Sequence, residues 1–307
     1  MTPLVERLDR ALSAGRPGGL ADAVPLDRRD RFLTLLRLYD LRLGRVGDDS
    51  RWDGHPALAA LKWRLESEWL DELSALSDPL LDGDLVAGLR ALAARDRLPE
   101  AYEWVAKTAT WDEVVRFLAL EGGPDGGFDD LVALCQVGLT GEPKVELARN
   151  YWDELGNGAL PAVHTVLHDR LVAAIGMPRV PLADQPVAAL ERAALGGLLS
   201  TNHWLQPEML GALGLIELQA GPRCRLVLRA FDRLGAPADA YPFYAEHAEV
   251  DPRHGKDWVD NALIPVAAER PEWVSRILRG ALWRSRVNAA FFTEVWRSLS
   301  GAETAAA

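Results

Sequence analysis

The chain has 307 residues, of which 49% are hydrophobic and 26% charged, and its formal net charge is −11. This length allows one large domain or two small ones, and the apolar fraction supports a well-buried core. The acidic balance argues against a nucleic-acid-binding protein, because a surface that tracks phosphates must be positively charged. Only two cysteines occur, Cys135 and Cys224, which excludes a disulfide-stabilised scaffold and a four-cysteine zinc module.

The sequence carries no pattern typical of export or of membrane insertion. No apolar run approaches the ~20 residues that a membrane helix needs. The N-terminal residues include charges where a signal peptide would be apolar. We therefore expect a cytoplasmic protein whose partners include neither a membrane nor a nucleic acid.

Taken in chain order, the sequence predicts one helix after another. Apolar residues recur at spacings of three and four, and glycine or proline separates the segments. The clearest start is Thr110-Trp-Asp-Glu113, which has the form of a capping box and opens a helix that ends at the glycine-rich stretch 122–127. The predicted helices span residues 4–12, 31–43, 56–76, 84–95, 110–121, 128–139, 144–155, 160–175, 187–200, 207–218, 223–234, 241–258 and 272–299.

Strand patterns are almost absent from the chain. Alternation with a period of two residues is rare, and no strand–turn–strand signal occurs. The predicted fold class is therefore all-α. We expect residues 1–98 to form an N-terminal helical extension, residues 99–300 to form the domain that carries the chemistry, and residues 301–307 to be a disordered tail.

Three residues of one predicted helix have the spacing of metal ligands. They form the pattern His-x3-Asp-x2-His, with His247, Asp251 and His254. At about 100° per residue they lie at about 0°, 40° and −20°, so they share one face and form a half-site for iron or manganese. Such a triplet arises by chance on the order of once in a hundred chains of this composition. The alternative is a solvated polar face, and the proline at 252 also predicts a break in this helix, because the residue before a proline avoids helical geometry.

Further candidate ligands lie upstream. Glu154 and His164 flank the turn Gly156-Asn157-Gly158, and Glu217 ends a stripe of small and apolar residues. A glutamate that faces a core must be neutralised by a proton, an ion pair or a metal, whereas a glutamate at a helix end can simply face solvent. On one straight helix Glu154 and His164 would differ by about 80°, so they converge only if the turn redirects the chain.

Together these residues resemble the haem-oxygenase-like diiron oxidase and oxygenase superfamily, whose members are often called iron-containing redox enzymes. The resemblance is carried by Tyr-Trp-Asp-Glu-Leu-Gly-Asn-Gly, which ends at Gly158 and is followed by His164, and by Glu-His-x3-Asp-x2-His-Gly-x2-Trp, which ends at Trp258. It covers roughly residues 100–300.

The resemblance implies a helical bundle that holds two iron ions. Glu154 and His164 would serve one iron, Glu217 would be able to bridge, and three residues of the next core helix would complete the site. A further helix carboxylate, Glu121, matches an extra ligand of some members. The implied metal ligands are Glu154, His164, Glu217, His247, Asp251 and His254, with Glu121 as an addition.

The function implied by the resemblance is that of a nonhaem oxygenase or oxidase. It would use O2 and an external electron donor on a small organic substrate of the amine, amino acid or fatty acid type, and a homodimer is compatible with it. Arg149, Arg223 and Arg225 are candidate anchors for a substrate carboxylate, although solvent-exposed surface is the simpler interpretation. The alternatives are a metal-free helical scaffold and a haem-binding relative of the same fold, with His164, His168 or His203 as the axial ligand.

Overall fold

The computed structural model describes residues 2–95, 97–122 and 127–301, and of residues 251 and 252 it describes the backbone alone. Within these ranges the chain forms fourteen α-helices and no strand, so the predicted all-α class is confirmed. In chain order the α-helices are α1 (Leu4–Ser13), α2 (Arg28–Arg42), α3 (Pro56–Ser74), α4 (Leu85–Arg95), α5 (Glu100–Lys107), α6 (Trp111–Glu121), α7 (Phe128–Cys135), α8 (Gly141–Glu154), α9 (His164–Ile175), α10 (Val187–Thr201), α11 (Gln206–Leu234), α12 (Tyr241–Asp257), α13 (Ile264–Glu269) and α14 (Val274–Ser300).

The chain divides into two compact units. The first contains the residues up to Ser77 together with Pro181–His203, and therefore α1, α2, α3 and α10. Its core includes Phe32 of α2 and Trp69 of α3, whose rings meet edge to face with centroids 5.0 Å apart. The Asp30 carboxylate accepts hydrogen bonds from the backbone amides of residues 4 and 5, which satisfies two free amide groups at the start of α1, and another from the amide of residue 26.

The second unit contains Asp78–Val180 and the residues from Trp204 onward. Its longest helices, α11 and α14, approach so closely that a Cβ atom at Gly211 would overlap the backbone of Ile277, and one at Gly280 would overlap the backbone of Glu208. Glycine on each partner therefore permits this contact. Glu208 is fully buried there, and Arg276 and Arg279 of α14 neutralise its charge.

Two predicted helix breaks at proline are wrong. The sequence predicts separate helices at 207–218 and 223–234, but α11 continues through Pro222, because both halves bury one side in the same core. Likewise, α12 continues through residues 251 and 252. A proline at 252 cannot donate to the carbonyl of Ala248, and the Arg225 guanidinium of α11 donates to that oxygen instead, at 2.8 Å.

A π-helix, Trp258–Leu263, joins α12 to α13 without a loop. Trp258 is fully buried there and donates from Nε1 to the carbonyl oxygen of Leu210, at 3.1 Å. A Cβ atom at Gly214 would lie 2.8 Å from the Trp258 ring, so α11 leaves space for it. Asn261 of the π-helix donates to Glu146 of α8 at 3.0 Å.

Several sequence predictions concern the limits of elements and domains. The capping box is confirmed, because Thr110 and Glu113 bond each other's backbone amides at the start of α6. The helices α5 and α13 escaped prediction. The predicted domain boundary at residue 98 falls inside the second unit and stays a prediction. Most of the glycine-rich stretch (123–126) and of the predicted tail (302–307) lies outside the described residues.

None of the described helices is long and apolar enough to serve as a membrane-spanning segment.

Candidate metal centre

The turn after α8 brings the first two candidate ligands together. Gly156, Asn157 and Gly158 all have left-handed backbone conformations, with φ of 62°, 52° and 84°. A Cβ atom at Gly156 would lie 2.5 Å from the backbone carbon of Ala162, so this position accepts glycine alone. The turn reverses the chain and places His164, the first residue of α9, beside Glu154, the last residue of α8. The sequence required such a change of direction for these two residues to meet.

Glu154, His164 and His247 form a trio in which the first two side chains are buried and the third is half-buried. Each offers one ligand atom, and these atoms lie within 4.8 Å of one another. The His164 Nδ1 atom lies 2.7 Å from the Glu154 Oε2 atom, and the rings of the two histidines have centroids 4.5 Å apart. His247 Nδ1 lies 2.7 Å from the carbonyl oxygen of Phe243, which can only accept, so Nδ1 carries the proton and Nε2 keeps its lone pair.

Glu217 of α11 and His254 of α12 form a second pair in the same unit. The His254 Nδ1 atom lies 3.8 Å from the Glu217 Oε2 atom, and both side chains are buried. The other oxygen of Glu217 accepts a hydrogen bond from the Asn150 amide at 2.8 Å. The two helices approach closely here, since a Cβ atom at Gly255 would lie 3.0 Å from the carbonyl oxygen of Glu217.

The pair and the trio are electrostatically linked. Burial raises the pKa of Glu217 to about 8, and the negative charge of Glu154 adds to this effect. Burial lowers the pKa of His247, and the neighbouring His164 and His254 lower it further. Burial alone would also lower the pKa of His164, but the Glu154 carboxylate overcomes it and raises the pKa above its ordinary value. Ionising Glu217 as well as Glu154 would therefore place more negative charge in the cluster than its imidazoles neutralise.

Two further candidates are Asp251 and Glu121. The backbone at Asp251 is helical, and its side chain lies outside the described part of the chain. Glu121, at the end of α6, accepts a hydrogen bond from the Tyr102 hydroxyl at 3.3 Å, and its charge acts on His168. His168 packs its ring on Phe243, with centroids 5.1 Å apart.

The donor atoms fit a metal ion. Among the described residues, neither His164 Nδ1 nor His254 Nδ1 has a hydrogen-bond partner, although both atoms are buried. His164 Nδ1 is close to the Glu154 carboxylate, but its angles are not those of a hydrogen bond. Two ligand atoms that face a common point have this geometry, and a set of carboxylate oxygens and imidazole nitrogens suits iron or manganese.

Two residues beside the ligands escaped prediction. Asn150 donates to Glu217, and the Asp153 carboxylate accepts a hydrogen bond from His254 Nε2 at 2.7 Å. Asp153 belongs to the stretch that carries the family resemblance, and Asn150 precedes Glu154 by one helical turn, so a shared inward face was a signal available in the sequence. No signal in the sequence indicated which helix would face these two residues.

Comparison with known proteins gives a family match. A family model described as an iron-containing redox enzyme matches residues 115–289, which is more than half of the chain. The matched range contains every candidate metal ligand. A comparison with curated proteins found no match.

Proposed function

The chain belongs to the iron-containing redox enzyme family, and from this premise we propose that it is a nonhaem diiron oxygenase or oxidase. Family membership makes it an oxidoreductase that uses iron. The second iron, the use of O2 and the class of substrate belong to the proposal.

The proposal is carried by the buried convergence of acidic and imidazole groups from four helices. Glu154, His164 and His247 would hold one iron, since their ligand atoms already lie within 4.8 Å of one another. Glu217 and His254 would contribute to the second, and the spacing His-x3-Asp-x2-His adds Asp251. Glu217 belongs to the second group, and its pKa responds to the charge of Glu154 in the first group. This suits a carboxylate that would bridge the two ions.

The protein's own groups prepare the site before metal arrives. The carbonyl of Phe243 fixes the His247 tautomer, so that Nε2 is the ligand atom. Glu217 must release the proton that its raised pKa favours, which makes metal binding a proton-releasing step at its Oε atoms. Burial of the ligands excludes bulk water. When bound, two ferrous ions would supply two electrons to O2, and an external donor would restore them.

The geometry favours this function over both alternatives. In a metal-free scaffold, two buried imidazole nitrogens would stay unsatisfied beside the carboxylates of Glu154 and Glu217, an arrangement that costs stability. In a haem protein, an axial His164 would need open space beside its ring for a porphyrin, whereas the His247 ring packs there with centroids 4.5 Å apart.

The substrate in this proposal is a small organic molecule of the amine, amino acid or fatty acid type. Arg225 is committed to the Ala248 carbonyl and is therefore a poor candidate for anchoring a substrate carboxylate. A homodimer remains part of the proposal and is independent of the metal site.

Anaerobic titration with Fe(II), followed by exposure to O2, tests the proposed function. We expect close to two irons per chain and a transient visible absorption after O2 is added. His247→Ala and His254→Ala should each lose tight iron loading and keep most helicity, whereas His168→Ala serves as the control and should load normally. Full loading in either ligand variant contradicts the site. Absence of iron binding above the histidine pKa favours a scaffold, and a Soret band on haem titration favours the haem-binding alternative.

A further inference from the structure

We propose that Asp153 is a positioning residue that holds the His254 ring with Nδ1 turned toward Glu217. The proposal rests on the diiron function, because Asp153 would orient a ligand of the second iron without binding the metal itself.

The contact between Asp153 and His254 determines which ring nitrogen faces the site. The Asp153 Oδ2 atom lies 2.7 Å from His254 Nε2, and the His254 side chain is 5% exposed. A carboxylate oxygen accepts, so Nε2 carries the proton. His254 Nδ1 is then the atom with a free lone pair, and it is the atom that lies 3.8 Å from the Glu217 Oε2 atom.

Asp153 is itself held in place. It is the residue before Glu154 in α8, so the helix that supplies one ligand also orients another from α12. Its carboxylate also accepts a hydrogen bond at 3.3 Å from Arg253, and the Asn157 side chain in the left-handed turn helps to lower its pKa. These contacts couple the turn, α8 and α12 at one carboxylate.

A second explanation for Asp153 is an ordinary surface ion pair with Arg253. That arginine side chain is 67% exposed, and such pairs contribute little. The contact with buried His254 has the form of the carboxylate–histidine–metal arrangement, in which an outer carboxylate fixes the tautomer and the ring orientation. Loss of such a partner weakens metal binding about 10–100-fold.

Anaerobic Fe(II) titration of a matched set of variants separates these explanations. Asp153→Ala should weaken binding of the second iron about 10–100-fold and leave the first unchanged. Asp153→Asn keeps an acceptor oxygen and should recover much of the loss. Arg253→Ala removes the exposed ion pair alone and should bind as the wild type does. Wild-type affinity in Asp153→Ala overturns the proposal.

A double-mutant cycle asks whether Asp153 acts through His254. In the His254→Ala background, Asp153→Ala should cause no further loss of affinity, since the group that it positions is gone. An equal loss in both backgrounds overturns the proposal and assigns Asp153 a general electrostatic effect.

A readout without metal separates this proposal from the diiron function. In the metal-free protein labelled with 15N-histidine, His254 should show the tautomer protonated at Nε2, with His254→Ala identifying its signals. Asp153→Ala should shift these signals toward a mixture of tautomers, and Asp153→Asn should shift them less. Unchanged signals in Asp153→Ala overturn the positioning role. Uptake of fewer than two irons by the wild type contradicts the diiron function, and the tautomer comparison still decides the role of Asp153.

Discussion

The turn that joins α8 to α9 makes a sharp prediction for Gly156→Ala. Gly156 has a φ of 62°, and a left-handed backbone costs a residue with a Cβ about 1–2 kcal/mol. The new methyl group would also lie 2.5 Å from the Ala162 carbon and 2.6 Å from the Val163 nitrogen. Overpacking of this kind costs about 1–3 kcal/mol, and because backbone atoms cannot yield as a side chain can, the turn must open.

Gly176→Ala is the matched control. Gly176 follows α9 with a φ of 63°, and a Cβ atom there would meet nothing within 4 Å of the described chain. This variant is destabilised by the left-handed backbone conformation but not by a steric overlap. We expect a loss of about 1–2 kcal/mol for Gly176→Ala and about 2–5 kcal/mol for Gly156→Ala.

Urea unfolding of the metal-free variants measures this difference, and Fe(II) titration measures its consequence for the site. If the turn opens, His164 moves away from Glu154, so Gly156→Ala should bind the first iron more weakly while Gly176→Ala binds it normally. Equal stability losses in the two variants, or normal iron affinity in Gly156→Ala, would refute the argument that this turn assembles the trio.

Three further predictions concern buried charge. In the metal-free protein, burial and then the charge of Glu154 raise the pKa of Glu217 from 4.5 to about 8. Between these pH values the folded state retains a proton that the unfolded chain loses, so the free energy of unfolding should fall as pH rises through this range. Glu217→Gln should flatten that slope in urea unfolding, and an unchanged slope would argue against the assignment. Asn150→Ala should weaken Fe(II) binding about 10–100-fold in equilibrium titration, since Glu217 loses the amide that orients it, and normal affinity would show that this hydrogen bond is dispensable. Glu208→Ala should lower the free energy of unfolding in urea by about 3 kcal/mol, because partly exposed Arg276 loses its buried partner. Iron uptake by the folded variant should not change, and reduced uptake would mean that Glu208 supports the site.

The sequence was sufficient for the helical class and for several helix limits. The spacing of apolar residues depends on local geometry, so α1, α6 and α10 were predicted within a few residues of their observed limits. Proline was the main source of error. Its cost in a helix is local, but whether the helix continues depends on partners elsewhere, such as the Arg225 side chain that satisfies Ala248.

The candidate ligands were easier to predict than the residues around them. Spacing along α12 placed His247 and His254 on one face, and the structure keeps both beside the other candidates. By contrast, the partners of their second nitrogens, the Phe243 carbonyl and the Asp153 carboxylate, depend on ring orientation and on which helix packs opposite. Arg223 illustrates the same limit, because it was expected at the surface but lies buried with its guanidinium 5.0 Å from the Phe292 ring.

The π-helix after α12 changes the direction in which side chains point before and after it along one continuous helical segment. A single extra residue in a helix rotates everything downstream by about 100°. Upstream of Trp258 the segment turns His254 toward Glu217, and downstream it turns Asn261 toward Glu146 of α8. Deleting one residue between Trp258 and Leu263 would restore an ordinary helix and swing Asn261 away, while the ligand spacing stayed intact. The wide turn thus lets one helical segment face Glu217 on one side of Trp258 and contact α8 on the other.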